Sequence, residues 1–338
     1  MDQRAYHRYV VKTMGTIEKD LSRRPFNCLY PGCHEKAIKS HSQHKSGQLR
    51  AIAENGLVYA GNFNLYSLYD PKRTHVVELV ETPIANASTF PGYCGGHDST
   101  LFSPIEKRAL VQGDKEQALL LFLRAFSLEF AAKRGALIKQ KRLMEAVAPH
   151  VEPRRIEAGK ASMAGIQLFV DREGPYYFLK LFQLIQENRF DEIGIQWIVV
   201  PQNLLASSSC CINPLLDDYE NHFDARSPVP QSLVAFSLVP TPVETHVIAC
   251  WLNEHAEQAS WIAQGLSTET ELERTINLLA VSESEDTCFN PKLWNALPGK
   301  TKEEALEAMR HSLYRKPLAD IPIVIRLTSK AKAKTALY

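Results

Sequence analysis

Three cysteines and a histidine stand in two short pairs. Cys28 and Cys33 bracket Leu29-Tyr30-Pro31-Gly32, and Cys94 and His97 bracket Gly95-Gly96. The prolines and glycines between them favour tight turns, from which each pair could reach one tetrahedral ion. Thiolate and imidazole suit zinc, and four protein ligands close a structural site. The expectation is a structural zinc ion held by Cys28, Cys33, Cys94 and His97. Three further histidines lie close by in sequence. His34 follows Cys33 directly and is expected to point away. His41 is an alternative fourth ligand in place of His97, and His44 is another rival.

The second pair opens a helix near His97-Asp98, so the two turn-borne pairs make a treble-clef-like layout. A region so small, with few large apolar residues, needs a metal to hold it together. The remaining cysteines, Cys210, Cys211, Cys250 and Cys288, are scattered, and the total of seven is odd. A reduced, cytoplasmic setting fits this better than a disulfide framework. The N-terminus lacks the layout of a signal peptide, and no run of 18 apolar residues offers a membrane span.

With 338 residues, 45% hydrophobic and 23% charged, the chain has a globular composition and room for more than one domain. The net charge of +1 excludes a strong overall pull toward polyanions. Its distribution is uneven. Residues 1–50 hold ten Lys and Arg against four acids, so this stretch is +6 and the rest is −5. A basic N-terminal region beside a zinc site suits contacts to nucleic-acid phosphates.

The elements that would carry these residues are α+β. Residues 1–24 repeat Tyr6, Tyr9, Val10, Met14, Ile17 and Leu21 at helical spacing. Residues 26–102 are short and broken, with turns at Pro31-Gly32, Asn55-Gly56, Asp70-Pro71 and Gly95-Gly96, strands at 57–59 and 75–80, and a short helix at 48–54. Residues 104–148 read as long helices, with Asp114 as N-cap and an apolar run through Leu119, Leu120, Phe122, Leu123, Phe126 and Phe130. Strands are expected at 165–171, 196–201, 233–240 and 245–252, helices at 176–188, 254–265 and 302–313, and a disordered basic tail at Lys330, Lys332 and Lys334. The predicted domains are a zinc-stapled unit at 1–102 with its N-terminal helix, a helical connector at 103–149, and a larger α+β domain at 150–338. The connector is core by default, and its apolar face at 116–134 is the place for a partner protein or a homodimer.

The order of a first ligand pair, a strand ending in histidine, and a second pair opening a helix resembles the zinc-bearing HNH nucleases. That resemblance covers residues 26–102 only. By position it implies His41, within Ser40-His41-Ser42, as the base that activates water, and Asp98 as a helix ligand to a catalytic magnesium. Four departures stand out, one being that the family asparagine shortly before the second pair has no close counterpart, since Asn86 lies eight residues before Cys94 and Asn62 and Asn64 further back. Ser40 takes the place of the usual acid before the histidine, the following turn is Ser42-Gln43-His44-Lys45-Ser46-Gly47, and the connecting insertion is long. The strings Ala37-Ile38-Lys39-Ser40-His41-Ser42 and Phe90-Pro91-Gly92-Tyr93-Cys94-Gly95-Gly96-His97-Asp98 also look like those of uncharacterised bacterial proteins, some of them resembling components of phage-defence loci.

No glycine cluster leads into a phosphate-binding Gly-Lys-Ser or Gly-Lys-Thr. Ser207-Ser208-Ser209-Cys210-Cys211 reads as a polar loop and Glu244-Thr245-His246 as a strand end. The four tryptophans read as core, and Arg124 and Glu129 as surface or interhelical pairs. Two functions compete with a magnesium-dependent nuclease: a non-catalytic zinc-stapled binding module, and a structural or dimerising subunit of a larger defence complex.

Overall fold

The computed structural model describes residues 3–63, 77–151, 153–214, 230–314 and 321–335. The first element is α1 (Gln3–Arg23). It buries Val10, Ile17 and Leu21 and lies against α5 (Lys115–Val147), to which it is tied by Tyr9 Oη donating to the Ala146 carbonyl at 3.0 Å. Next comes β1 (Lys39–His41), which pairs antiparallel with β4 (Thr89–Pro91), His41 opposite Thr89. The helices α3 (Gly95–Leu101) and α4 (Ser103–Glu106) follow β4 directly.

Between β1 and β4, residues 42–63 and 77–88 leave this small pair. They form α2 (Arg50–Ile52), β2 (Leu57–Phe63) and β3 (Val77–Pro83). Asn55 and Gly56 both have positive φ, 52° and 77°, and Glu54 and Leu57 exchange backbone hydrogen bonds across them at 2.9 Å. Asn-Gly favours such a two-residue turn because both residues tolerate that conformation. The expected helix at 48–54 is a π-helical turn, Lys45–Leu49, running into α2. The expected turn at Asp70-Pro71 lies outside the described residues.

β2 and β3 do not stay with the β1–β4 pair. They extend a seven-stranded antiparallel sheet of order β3-β2-β9-β6-β7-β8-β5. The other members are β5 (Ile193–Val200), β6 (Ala206–Ile212), β7 (Val234–Pro240), β8 (Thr245–Leu252) and β9 (Thr287–Phe289). Along β7 and β8, Val234, Phe236, Leu238, Val247, Ala249 and Trp251 face one core, and Ala235, Val239, Ile248, Cys250 and Leu252 face the other. A strand covered on both faces reads as a near-continuous apolar run, as these do apart from the buried Ser237, Thr245 and His246. β6 is the correction: residues 207–211 are a central strand, not a polar loop. Its serines are buried with their hydroxyls engaged, Ser207 on the Leu238 carbonyl at 3.2 Å and Ser208 on Ser284 at 2.9 Å.

α5 is the axle of the fold. Every residue from Gln117 to Ser127 is buried, so the apolar side of the connector is covered by its own chain. Asp114 caps the helix, accepting from the Gln117 N–H at 3.0 Å. The expected strand at 165–171 is instead the end of α6 (Pro153–Leu168) and a π-helical turn, Phe169–Glu173, leading into α7 (Gly174–Gln186). Packing against α5 overrides the strand-like composition there. The far face of the sheet is covered by α8 (Ala256–Ser267), α9 (Glu269–Asn277), α10 (Pro291–Ala296) and α11 (Gly299–Tyr314). The basic tail is ordered through α12 (Ser329–Thr335), where Lys332 pairs with Glu273 at 3.5 Å. Among the described residues no helix is long and apolar enough to cross a membrane.

Candidate metal centre

The first ligand pair sits on a hairpin closed by the Asn27–Lys36 bridge and by Cys28 N–H donating to the Glu35 carbonyl at 2.8 Å. Gly32 takes φ 73°, a left-handed turn that glycine adopts without strain. The second pair opens α3, where Cys94 is the N-cap and its sulfur accepts from the His97 N–H at 3.5 Å. Two backbone bonds hold the pairs face to face: Leu29 N–H to the Gly92 carbonyl at 2.9 Å, and Ile38 N–H to the Tyr93 carbonyl at 2.7 Å.

The result is one cluster. The donor atoms of Cys28, Cys33, Cys94 and His97 all lie within 4.8 Å of one another. His97 presents Nδ1 to the sulfurs, 3.2 Å from Cys94 and 3.6 Å from Cys28. Zn–S bonds of about 2.3 Å in a tetrahedron set ligands about 3.8 Å apart, so the group needs only small adjustments to close on an ion. Three thiols and an imidazole are consistent with a structural zinc site. Burial pushes the Cys28 thiol up to about 11, although N–H groups of Cys94 and Tyr30 oppose the shift. Zinc would supply the charge that favours the thiolates and would cross-link the two pairs.

The surroundings are rigid. Tyr30 stacks on the His97 ring, centroids 3.9 Å apart and planes 5° from parallel, and meets Phe182 of α7 edge-on. Tyr93 is fully buried and bonds Ser127 of α5 at 2.6 Å. Gly92 is fixed by sterics: a Cβ there would lie 2.6 Å from Phe90 Cε2 and 2.8 Å from Ser40 Oγ. Gly92→Ala is expected to cost about 1–3 kcal/mol through this overpacking, read as a lower urea midpoint at unchanged slope. An unchanged midpoint would show that the turn yields freely.

The rival histidines lie outside the cluster. His34 is exposed and His44 half-buried. His41 ends β1, and its Nε2 is 3.2 Å from the Ile84 carbonyl. A carbonyl only accepts, so Nε2 carries the proton and Nδ1 keeps its lone pair. Burial lowers the His41 pKa; the Ile84 bond opposes this, Lys45 and Arg124 lower it further, and Asp98 raises it. Asp98, on α3, has a buried Oδ1 with no hydrogen-bond partner. Ser40 is buried and its Oγ accepts from the Tyr93 N–H at 3.0 Å, so the position before His41 holds the knuckle in place.

Two neighbours escaped the sequence. Arg124 is in an interhelical pair, one of the two alternatives expected for it, but in the core and not at the surface. It is 2% exposed, ion-pairs with Glu106 of α4 and lies 4.1 Å over the Phe102 ring. Helical spacing alone could not signal this, because the helix is buried all round from Gln117 to Ser127. Asp286, just before β9, accepts from Ser88 Oγ at 2.7 Å and from Ser42 Oγ, while its backbone carbonyl accepts from Gln43 Nε2 at 2.7 Å. The sheet thereby grips the two residues that follow His41. Burial raises the Asp286 carboxyl, and these side-chain bonds oppose the rise.

No protein-family model, curated protein or solved structure matches this chain.

Proposed function

We propose that this protein is a zinc-stapled, HNH-like, metal-dependent endonuclease with a treble-clef zinc unit. One observation carries the proposal: His41 stands at the end of β1 with Nε2–H on a backbone carbonyl and Nδ1 free to act as a base, under the influence of Asp98 on the next helix. A neutral imidazole so fixed can take a proton from water. The water oxygen then bonds to phosphorus as the ester oxygen leaves with the electrons of the broken P–O bond. Asp98 Oδ1, buried without a partner, suits a hard cation. Magnesium bound there would neutralise charge on the phosphoryl oxygens. A role in bacterial antiviral defence is supported only by the resemblance of residues 37–42 and 90–98.

The test is cleavage of DNA and RNA substrates by zinc-loaded protein with and without magnesium, across pH. The base works only when neutral, and its pKa lies below the ordinary 6.5. The rate is therefore expected to rise with pH and to level off before neutrality. Metal-independent cleavage, or a rate still climbing above pH 8, would contradict His41 as the base.

One observation favours a second function, a non-catalytic zinc-stapled binding module. Ser40 replaces the usual acid and its hydroxyl is engaged by the Tyr93 backbone. Binding without cleavage under all metal conditions would select it.

A further inference from the structure

The outward side of α1 carries Arg4, Arg8, Lys12, Lys19 and Arg23, all exposed. At 3.6 residues per turn these five fall within an arc of about 100°, opposite the face that packs on α5. The two described acids of α1 lie outside that arc and are occupied by α5: Glu18 with Lys139 at 3.1 Å, and Asp20 with Arg142 at 3.9 Å. Among the described residues, none of the five cations ion-pairs with a carboxylate. No large apolar side chain is exposed on α1, so the face lacks the anchors that carry protein–protein interfaces.

A second observation lies where the stripe ends. Arg134 of α5 stacks 4.6 Å from Phe26 and 5.5 Å from Phe130. Its Nε and Nη2 are buried without partners, and no carboxylate pairs with it among the described residues. These two donors share one edge of the guanidinium, the edge that grips an oxyanion with two parallel bonds. Burial, and then the like charge of Arg24, disfavour its charged form.

We propose that α1 is a rail for the phosphate backbone of duplex DNA, with Arg134 and Arg24 closing on one phosphate at its C-terminal end, next to the zinc cluster. A helix of 21 residues is about 31 Å long, close to one turn of B-DNA. B-form DNA offers a groove or backbone edge to such a helix, whereas the deep, narrow major groove of A-form RNA does not. The assignment rests on the nucleic-acid reading above and extends it to residues outside the 26–102 resemblance.

The experiment uses full-length, zinc-loaded protein carrying His41→Ala, so that binding is read without cleavage. Association with a duplex of about 30 base pairs is followed by fluorescence anisotropy across a salt series. The combined variant Arg8→Gln, Lys12→Gln, Lys19→Gln changes only exposed residues. It is expected to lower the slope of log affinity against log salt by about 2.7, and to weaken binding on the order of 100-fold near 0.1 M salt. Arg134→Gln is expected to remove about 0.9 more from the slope. Equal slopes and affinities for parent and variant would overturn the proposal, as would stripe-dependent binding that is tighter for duplex RNA. If protein with His41 intact cleaves DNA while the stripe variant binds undiminished, the rail fails and the nuclease stands. If stripe-dependent binding occurs without cleavage, the rail stands and the nuclease fails.

Discussion

Cys28→Ser is expected to release bound zinc and to lower the melting temperature by about 10 °C. The reasoning starts from position. Cys28 and Cys94 are buried, and they share a core with Tyr93, Phe102 and the buried turns of α5. The two ligand pairs are otherwise joined by a few backbone hydrogen bonds and the short β1–β4 pairing. Structural zinc contributes on the order of 10 kcal/mol in isolated fingers. Part of that is recovered here by packing on α5, leaving a loss of about 3–5 kcal/mol, which at about 2–4 °C per kcal/mol gives the stated shift. A strong chelator should reproduce the effect in unmodified protein, and elemental analysis should find one zinc per chain. Cys210→Ser is the control. Cys210 is equally buried but lies in β6, away from the cluster, so zinc content should not change. A protein that purifies without zinc, and whose melting temperature ignores the chelator, would refute the site.

His41→Ala is expected to reduce magnesium-dependent cleavage by about 10²–10⁴-fold, the range of a lost general base. Zinc content should be unchanged, because Cys28, Cys33, Cys94 and His97 form the donor group without it. The stability cost should be modest, about 1 kcal/mol, since the Ile84 carbonyl loses one donor from a half-buried side chain. Asp98→Asn should fail in a different way. Its Oδ1 has no internal hydrogen bond to lose, so folding should hold while the magnesium requirement rises steeply. A His41→Ala protein that cleaves at the parental rate would end the case for catalysis at this position, whatever happens to zinc.

The cluster was legible because each ligand pair is local. The spacing of Cys28 to Cys33 and of Cys94 to His97, with glycines between, carries its geometry in a few residues. The partner strands 196–201, 233–240 and 245–252 were legible for a similar reason: burial on both faces writes a mostly apolar run, interrupted at few places such as Ser237 and His246. What could not be read depends on distant chain. Residues 207–211 look like a loop until Ser284 and the Leu238 carbonyl are present to take the hydroxyls. Residues 165–171 have strand composition but are held helical and π-helical by α5. Asp286 gives no sign in sequence that it will meet Ser42 and Ser88, and Arg124 none that it will meet Glu106 over Phe102.

The route of β2 has a consequence for the order of events during synthesis. Tyr59 and Ala60 pair with Phe289 and Cys288 of β9, residues made more than 200 positions later. The β1–β4 pair and the candidate metal ligands are all present by residue 97 and can close early. Until β9 is made, β2 and β3 pair only with each other and both outer edges of that pair are open. Contacts this far apart in sequence form slowly, and unpaired edges invite misassembly. The late arrival of β9 is thus the step at which the maturing chain is most exposed to aggregation, and also the step that secures Asp286 against Ser42 beside His41.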